Sequence, residues 1–321
     1  MPSKRYFYLT AIPEVDAEII NAECLALTGS APDSRGLAIS STCTDVSRGA
    51  YVRSCAELLL EGGSISEICA EIRDAGMYAD DFRVSVVKLP RSLEVNSLQI
   101  AHEVGADIGG RPNLDMPKST FLTVITDEKI WFGKLLSESD GRWLAHNKRP
   151  HVTSNSLPTR LARAIVNLTT SPGDRLLDPC CGTGTIILEA AHMGMNAVGY
   201  DINVRMVGAT RKNLKHYGLN AEVYLGDARQ ISGPYDVVVT DFPYGIGLAR
   251  DSTVDREILG RIRQLAPRAA FVHTRDLSSE LVDLGYRIEN IVPARKHTMI
   301  RKIFITSTGN YSKSNNNCTL R

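Results

Sequence analysis

Long apolar runs are missing from this chain. Nothing in its 321 residues approaches the roughly eighteen consecutive apolar side chains of a bilayer-spanning helix, so no membrane segment is expected. Paired cysteine motifs are missing as well. The seven cysteines show no Cys-x-x-Cys spacing, which argues against a zinc site or a disulfide framework, and no metal is expected. The first residues enter an apolar run that Glu14 and Asp16 soon end, unlike a secretory leader, so the cytoplasm is the expected compartment. A strong charge imbalance is also absent, the net charge being +1, which sets the chain apart from dedicated polycations. The balance is uneven along its length. Residues 1–150 carry 16 Lys and Arg against 21 Asp and Glu, leaving 21 against 15 for the remainder. A basic C-terminal half is compatible with a polyanionic substrate.

What is present is an ordinary globular composition, 43% hydrophobic and 23% charged, in a chain long enough for two cores. From Arg175 onward, strand and helix patterns alternate. Strands are expected at Arg175–Asp178, Ala197–Asp201, Glu222–Leu225, Tyr235–Thr240 and Ala269–His273, with helices at Thr185–Met193, Val204–Tyr217 and Leu277–Leu284. Two closing strands, Tyr286–Val292 and Ile300–Thr306, suit an antiparallel hairpin at one edge. Parallel strands need helical crossovers, so the pattern predicts a doubly wound α/β sheet. The N-terminal part predicts a mixed α+β unit. Its helices are expected around Ala17–Ala26, Cys55–Leu60, Ile65–Ala75 and Ser97–Val104, and its strands at Phe82–Lys88, Phe121–Ile125 and Lys129–Lys134. The polar stretch from Ser137 to Asn155 predicts a linker, and the Ser/Asn-rich tail from Ser307 predicts fraying.

In an open α/β sheet, ligands bind beyond the carboxyl ends of the strands. The unusual residues of this chain stand there. Asp178-Pro179-Cys180-Cys181-Gly182-Thr183-Gly184-Thr185 joins the first of these strands to its helix. Its glycines let backbone approach a ligand, and the amides opening the helix can hold a carboxylate. Asp201 ends the second strand, where an acid can accept ribose hydroxyls. Asp227-Ala228 follows the third, where an acid can face an adenine amino group. The turn lacks the third glycine of the dinucleotide fingerprint, which disfavours a nicotinamide cofactor. The fourth strand ends in Asp241-Phe242-Pro243-Tyr244. A carboxylate and a backbone carbonyl aimed at an exocyclic amine favour its nucleophilic form, a proline stiffens the turn, and an aromatic ring stacks on a base. The combination predicts methyl transfer from S-adenosylmethionine to a nucleobase amine. The expected cofactor residues are Asp178, Cys180, Gly182, Thr183, Gly184, Thr185, Asp201, Asp227 and Ala228. The expected catalytic residues are Asp241, Phe242, Pro243 and Tyr244. In isolation, Asp241 would read as a helix cap and Tyr244 as core; their place at the end of the fourth strand, beside a cofactor site, favours the catalytic reading. Cys180, Cys181, His102 and His273 also invite structural explanations, the two cysteines as small buried fillers.

These motifs resemble those of class I amino-methyltransferases, whose acceptor motif is Asp or Asn followed by Pro-Pro-Tyr or Pro-Pro-Phe; Phe242 replaces its first proline. Arg149-Pro150 through Pro158 to Leu168, and Arg295 to Lys302 near the end, are similar to segments of archaeal and eukaryotic tRNA guanosine-10 N2-methyltransferases. The N-terminal part resembles their ferredoxin-like plus THUMP arrangement, best at His102–Ala106 and Asp115–Ser119. The resemblance implies a Rossmann-like class I methyltransferase domain over 156–306, a ferredoxin-like plus THUMP region over 1–136, a linker over 137–155 and a tail over 307–321. It also implies a tRNA substrate and a possible small zinc-binding activator protein. Lys118, Arg111, Arg149, Lys296 and Arg301 are then candidate phosphate contacts. Two other readings remain open: a different amino-methyltransferase acting on DNA adenine or cytosine or on protein glutamine, or a catalytically silent RNA-binding scaffold.

Overall fold

The computed structural model describes residues 4–12, 16–242, 252–296 and 299–309. Two sheets organise them. The first contains β1 (Tyr6–Thr10), β2 (Leu37–Ser40), β3 (Val52–Gly62), β4 (Phe82–Lys88), β5 (Ser119–Ile125) and β6 (Ile130–Glu138). It carries α1 (Ala17–Thr28), α2 (Ile65–Asp74) and α3 (Ser97–Ala106). The strand order is β2-β1-β3-β6-β5-β4, antiparallel except for the β4–β5 pair. The helix expected around Cys55–Leu60 is instead the middle of β3. Local pattern did not decide there. β3 pairs with β1 on one side and β6 on the other, so tertiary pairing overrides a short apolar run whose period is ambiguous.

The second sheet follows α4 (Thr159–Thr169) and contains β7 (Arg175–Asp178), β8 (Asn196–Asp201), β9 (Glu222–Leu225), β10 (Val237–Asp241), β11 (Arg268–His273), β12 (Tyr286–Lys296) and β13 (Met299–Thr308). Between them run α5 (Thr185–His192), α6 (Val204–His216), α7 (Ser252–Leu265) and α8 (Ser278–Asp283). The order β12-β13-β11-β10-β7-β8-β9 is the doubly wound arrangement expected, with β7 to β11 parallel and β13 antiparallel to both its neighbours. The chain leaves β7 toward β8 and β9, then returns to lay β10 on β7's other side. The switch point therefore lies between β7 and β10, where loops diverge and leave a crevice.

The two units share a core. Ile19, Ile20, Ala50 and Tyr51 of the first pack in one cluster with Ile165, Leu168, Val292 and Ala294 of the second. α1 lies against α4 and β12. α4 is enclosed on nearly all sides, which its sequence disguises because Arg163 and Asn167 occupy buried positions. Glu23, fully buried on α1, shows how such polar groups are accommodated. Its carboxylate accepts the N–H groups of Ala50 (2.9 Å), Tyr51 (2.6 Å) and Val52 (3.1 Å) and the side-chain amide of Asn167 (2.7 Å). Four donors satisfy a carboxylate that would otherwise be costly to bury.

The stretch 137–155, polar enough to suggest a linker, carries the end of β6 and a 3-10 helix at Arg142–Lys148 that buries Trp143 and His146. The tail beyond residue 309, and His297 and Thr298 between β12 and β13, lie outside the described residues. Among the described residues no helix is long and apolar enough to cross a membrane.

Candidate active site

A cleft of about 500 Å³ opens at the switch point. Asp178, Cys180, Gly182, Thr183, Thr185, Asp201, Asp227 and Ala228 line it, and so do Asp241 and Phe242. The two motifs, more than fifty residues apart in sequence, thus meet in one crevice. Pairing explains why. β10 lies beside β7 with Val238 opposite Leu177, so the ends of these two strands flank the same opening. Pro243 and Tyr244 lie outside the described residues.

The turn after β7 is held from three sides. Gly182 and Gly184 both have positive φ, 55° and 81°. A Cβ on Gly182 would meet nothing within 4 Å, so this glycine faces open space on the cleft side. A Cβ on Gly184 would lie 2.4 Å from Thr210 Cγ2, so here α6 packs directly on backbone. Thr210 Oγ1 donates to Gly182 O (2.8 Å). Asp201 reaches across from β8, one oxygen accepting Gly182 N–H (2.8 Å) and the other Asn203 N–H (2.8 Å). Its remaining lone pairs face a cleft where hydroxyl donors can reach them.

Asp178 is the most perturbed acid at the site. It is 2% exposed, and Cys180 N–H donates to it at 3.2 Å. Burial, reinforced by the nearby carboxylates of Asp241 and Asp201, pushes its pKa up to about 8. Such a carboxyl is neutral near pH 7 until a cation arrives beside it. An amino-acid ammonium fits that requirement. Burial also raises Cys181 well above the ordinary thiol range, and the residue fills space between the turn and α6.

Asp227 departs from expectation in one respect. Its carboxylate accepts from the Arg229 guanidinium at 2.6 Å and from Arg229 N–H at 2.9 Å, while Arg229 also pairs with Glu257. An adenine amino group reaching Asp227 would therefore share the carboxylate with Arg229. Phe242 has a clear structural basis. It is 1% exposed, its N–H donates to Val272 O (3.1 Å), and its ring sits 6.1 Å from those of Phe271 and His273. An apolar ring fills the core where the motif's usual first proline would leave space. His273 Nδ1 accepts Arg275 N–H (2.8 Å), a structural role.

Sequence reasoning missed the other wall. Thr153, Asn155, Ser156 and Leu157 line the cleft, as do Ile202, Asn203 and Met206. Ser156 Oγ lies 3.0 Å from Thr183 Oγ1. Asn213 ties the segment down, accepting His151 N–H (2.9 Å) while its amide donates to His151 O (2.8 Å) and Thr183 O (2.9 Å). Ile202, 73% exposed directly after Asp201, offers an apolar face beside the acid; a large aliphatic after a strand-ending acid was the available signal.

Two proposed phosphate contacts are corrected. Arg149 and Arg301 are 6% and 2% exposed and bond within the protein, Arg301 to Asn155 O (3.3 Å), so neither guanidinium faces a polyanion. Arg111 is exposed, and exposed Lys118 pairs with Asp81 (2.6 Å). The side chain of Lys296 is outside those described.

Residues 146–268 match the family described as RMKL-like, methyltransferase domain. The chain is 31% identical over 281 residues to the tRNA (guanine(10)-N2)-dimethyltransferase of Methanothermobacter thermautotrophicus, covering 80% of this chain and 82% of that protein. It is 31% identical over 211 residues to the enzyme of the same name from Pyrococcus abyssi, covering 61% of this chain and 64% of the relative. Among solved structures, TrmN from Thermus thermophilus aligns over 95% of this chain and 100% of its own, at 17% identity and a TM-score of 0.48. Its extent and identity to the Methanothermobacter protein place this chain in the tRNA (guanine(10)-N2)-dimethyltransferase family.

Proposed function

We propose that the protein transfers a methyl group from S-adenosylmethionine to N2 of a guanosine in tRNA, at position 10. One observation carries the reading: Asp241 and Phe242 line the same cleft as the glycine turn and Asp178. The cofactor, when bound, supplies an activated methyl on sulfonium. The chain's own residues then have three tasks. Asp178 faces the ammonium and becomes ionised, Asp201 accepts the ribose hydroxyls, and Gly182 leaves room for the ligand against backbone. Asp241 and the Phe242 carbonyl accept the two N–H groups of the guanine amine, which keeps its lone pair out of the ring and aimed at the methyl carbon. Positioning and electrostatics do the work, since the leaving group is already activated. After transfer, the excess proton passes to Asp241 or to water. Pro243 would stiffen the acceptor turn and Tyr244 would stack on the extruded base.

The first sheet, with α2 and α3, serves in this reading as the ferredoxin-like plus THUMP region that grips tRNA, and the protein works in the cytoplasm. A small zinc-binding activator would dock on the free side of β9. That edge strand exposes Tyr224 and Leu225. The test is nucleoside mass spectrometry after incubation with the methyl donor and either tRNA or duplex DNA. N2-methylated guanosine from tRNA alone is expected. Methylated adenine or cytosine from the duplex would favour the DNA reading, and calorimetry showing no cofactor binding would favour a silent scaffold.

A further inference from the structure

Resting on the reading of the cleft as a cofactor site, we propose that Arg149 is a positioning residue for the carboxylate of the cofactor's amino-acid moiety, acting through Thr185. Arg149 is buried, and every acceptor around it is neutral. Nη1 donates to His146 O (3.1 Å) and Thr159 Oγ1 (3.2 Å), and Nη2 donates to Leu157 O (3.5 Å) and Thr185 Oγ1 (3.0 Å). Nε has no partner. Among the described residues no carboxylate lies within 4.0 Å ion-pair reach of it. Glu189, one turn along α5, is committed elsewhere, to Arg163 (3.1 Å) and His146 (2.5 Å). Glu189 is the carboxylate nearest in effect to Arg149, yet it bonds to Arg163 and not to Arg149.

The location makes this charge more unusual. Thr185 is the first residue of α5, where unpaired amides already present a positive end. With Glu189 bonded elsewhere, a buried cation beside that positive end adds to a field that favours an anion in the cleft. Thr185 lines the cleft, as do Leu157 and Ser156. Its hydroxyl accepts from Arg149, so its own proton is left to donate, and accepting a charge-assisted bond polarises it toward donation. Asp178 stands before the same glycine turn. The turn is thus flanked by a buried acid on one side and a buried cation on the other. Together they orient an amino-acid zwitterion, ammonium toward Asp178 and carboxylate toward Thr185.

The test compares affinities by calorimetry for S-adenosylmethionine and its decarboxylated analogue, which keeps the adenosine, sulfonium and amine. Arg149→Met should weaken binding of the full cofactor about tenfold and leave the analogue within about twofold, with Arg149→Lys recovering part of the loss. Thr185→Val, which retains shape and the guanidinium, should show the same selectivity and reads it independently if Arg149→Met does not fold. Equal weakening of both ligands, or no weakening by either substitution, would overturn the proposal and leave the cofactor site standing. Failure of the wild-type chain to bind either ligand would overturn the cofactor reading and this proposal together.

Discussion

Replacing either glycine of the turn after β7 by alanine introduces the same methyl group, yet the two changes should fail in different ways. Both residues have positive φ, so each substitution carries the left-handed backbone cost, about 1–2 kcal/mol. At Gly184 the new Cβ also lies 2.4 Å from Thr210 Cγ2 and 2.8 Å from its Oγ1, and overpacking of this kind adds about 1–3 kcal/mol. Gly184→Ala should therefore lose roughly 2–5 kcal/mol, which at about 2–4 °C per kcal/mol is readily seen in a melting curve. At Gly182 nothing lies within 4 Å, so stability falls only by the backbone term, but the methyl projects into the cleft. Gly182→Ala should melt only about 2–8 °C below wild type and bind S-adenosylmethionine at least about tenfold more weakly. Thr210→Ala removes the two closest clashing atoms. In the Gly184→Ala background it should restore part of the lost stability, although alone it destabilises by removing the bond to Gly182 O. Thermal melting of the four proteins, with calorimetry on those that fold, completes the cycle. A Gly184→Ala protein as stable as wild type, or no recovery in the double substitution, would refute the packing argument.

Asp178 provides a pH signature. Its folded pKa is raised to about 8, above the ordinary 3.8, so its contribution to the stability of the ligand-free protein is full below about pH 4 and is lost as pH rises through 8. Asp178→Asn should flatten that dependence in melting curves taken across this window. Because a bound ammonium ionises Asp178, cofactor binding should release a proton near pH 7 and tighten from pH 6 to 8. Calorimetry in buffers of different ionisation heat measures the proton, which Asp178→Asn should abolish. Glu23→Gln places an amide where four donors converge and should destabilise the junction between the two units by about 2–4 kcal/mol, visible in the melting temperature and in faster amide exchange at Ala50–Val52.

The second sheet was readable in the sequence because its signals are local. Strand and helix periods alternate there, and each acid or glycine of the site stands at a strand end, where topology alone determines what it faces. What the sequence concealed is long-range. β3 reads as a helix because both its partners lie far along the chain. α4 hides because Arg163 and Asn167, polar in one dimension, are buried against Glu189 and Glu23 in three. Arg149 looked like a surface charge for the same reason: its acceptors, Thr159 and Thr185, come from two different helices. The cleft wall built by residues 153–157 was lost with it, since a polar stretch ending in Asn155 and Ser156 has the composition of a linker.

The central claim is that Asp241 acts on the methyl acceptor and leaves the cofactor to the glycine turn and its acids. Single-turnover methyl transfer to tRNA by Asp241→Ala, with cofactor affinity measured on the same preparation, tests it most directly. A loss of transfer of about a hundredfold or more, with affinity within about threefold of wild type, is the predicted result. Unchanged transfer, or loss of affinity in proportion to loss of transfer, would contradict it.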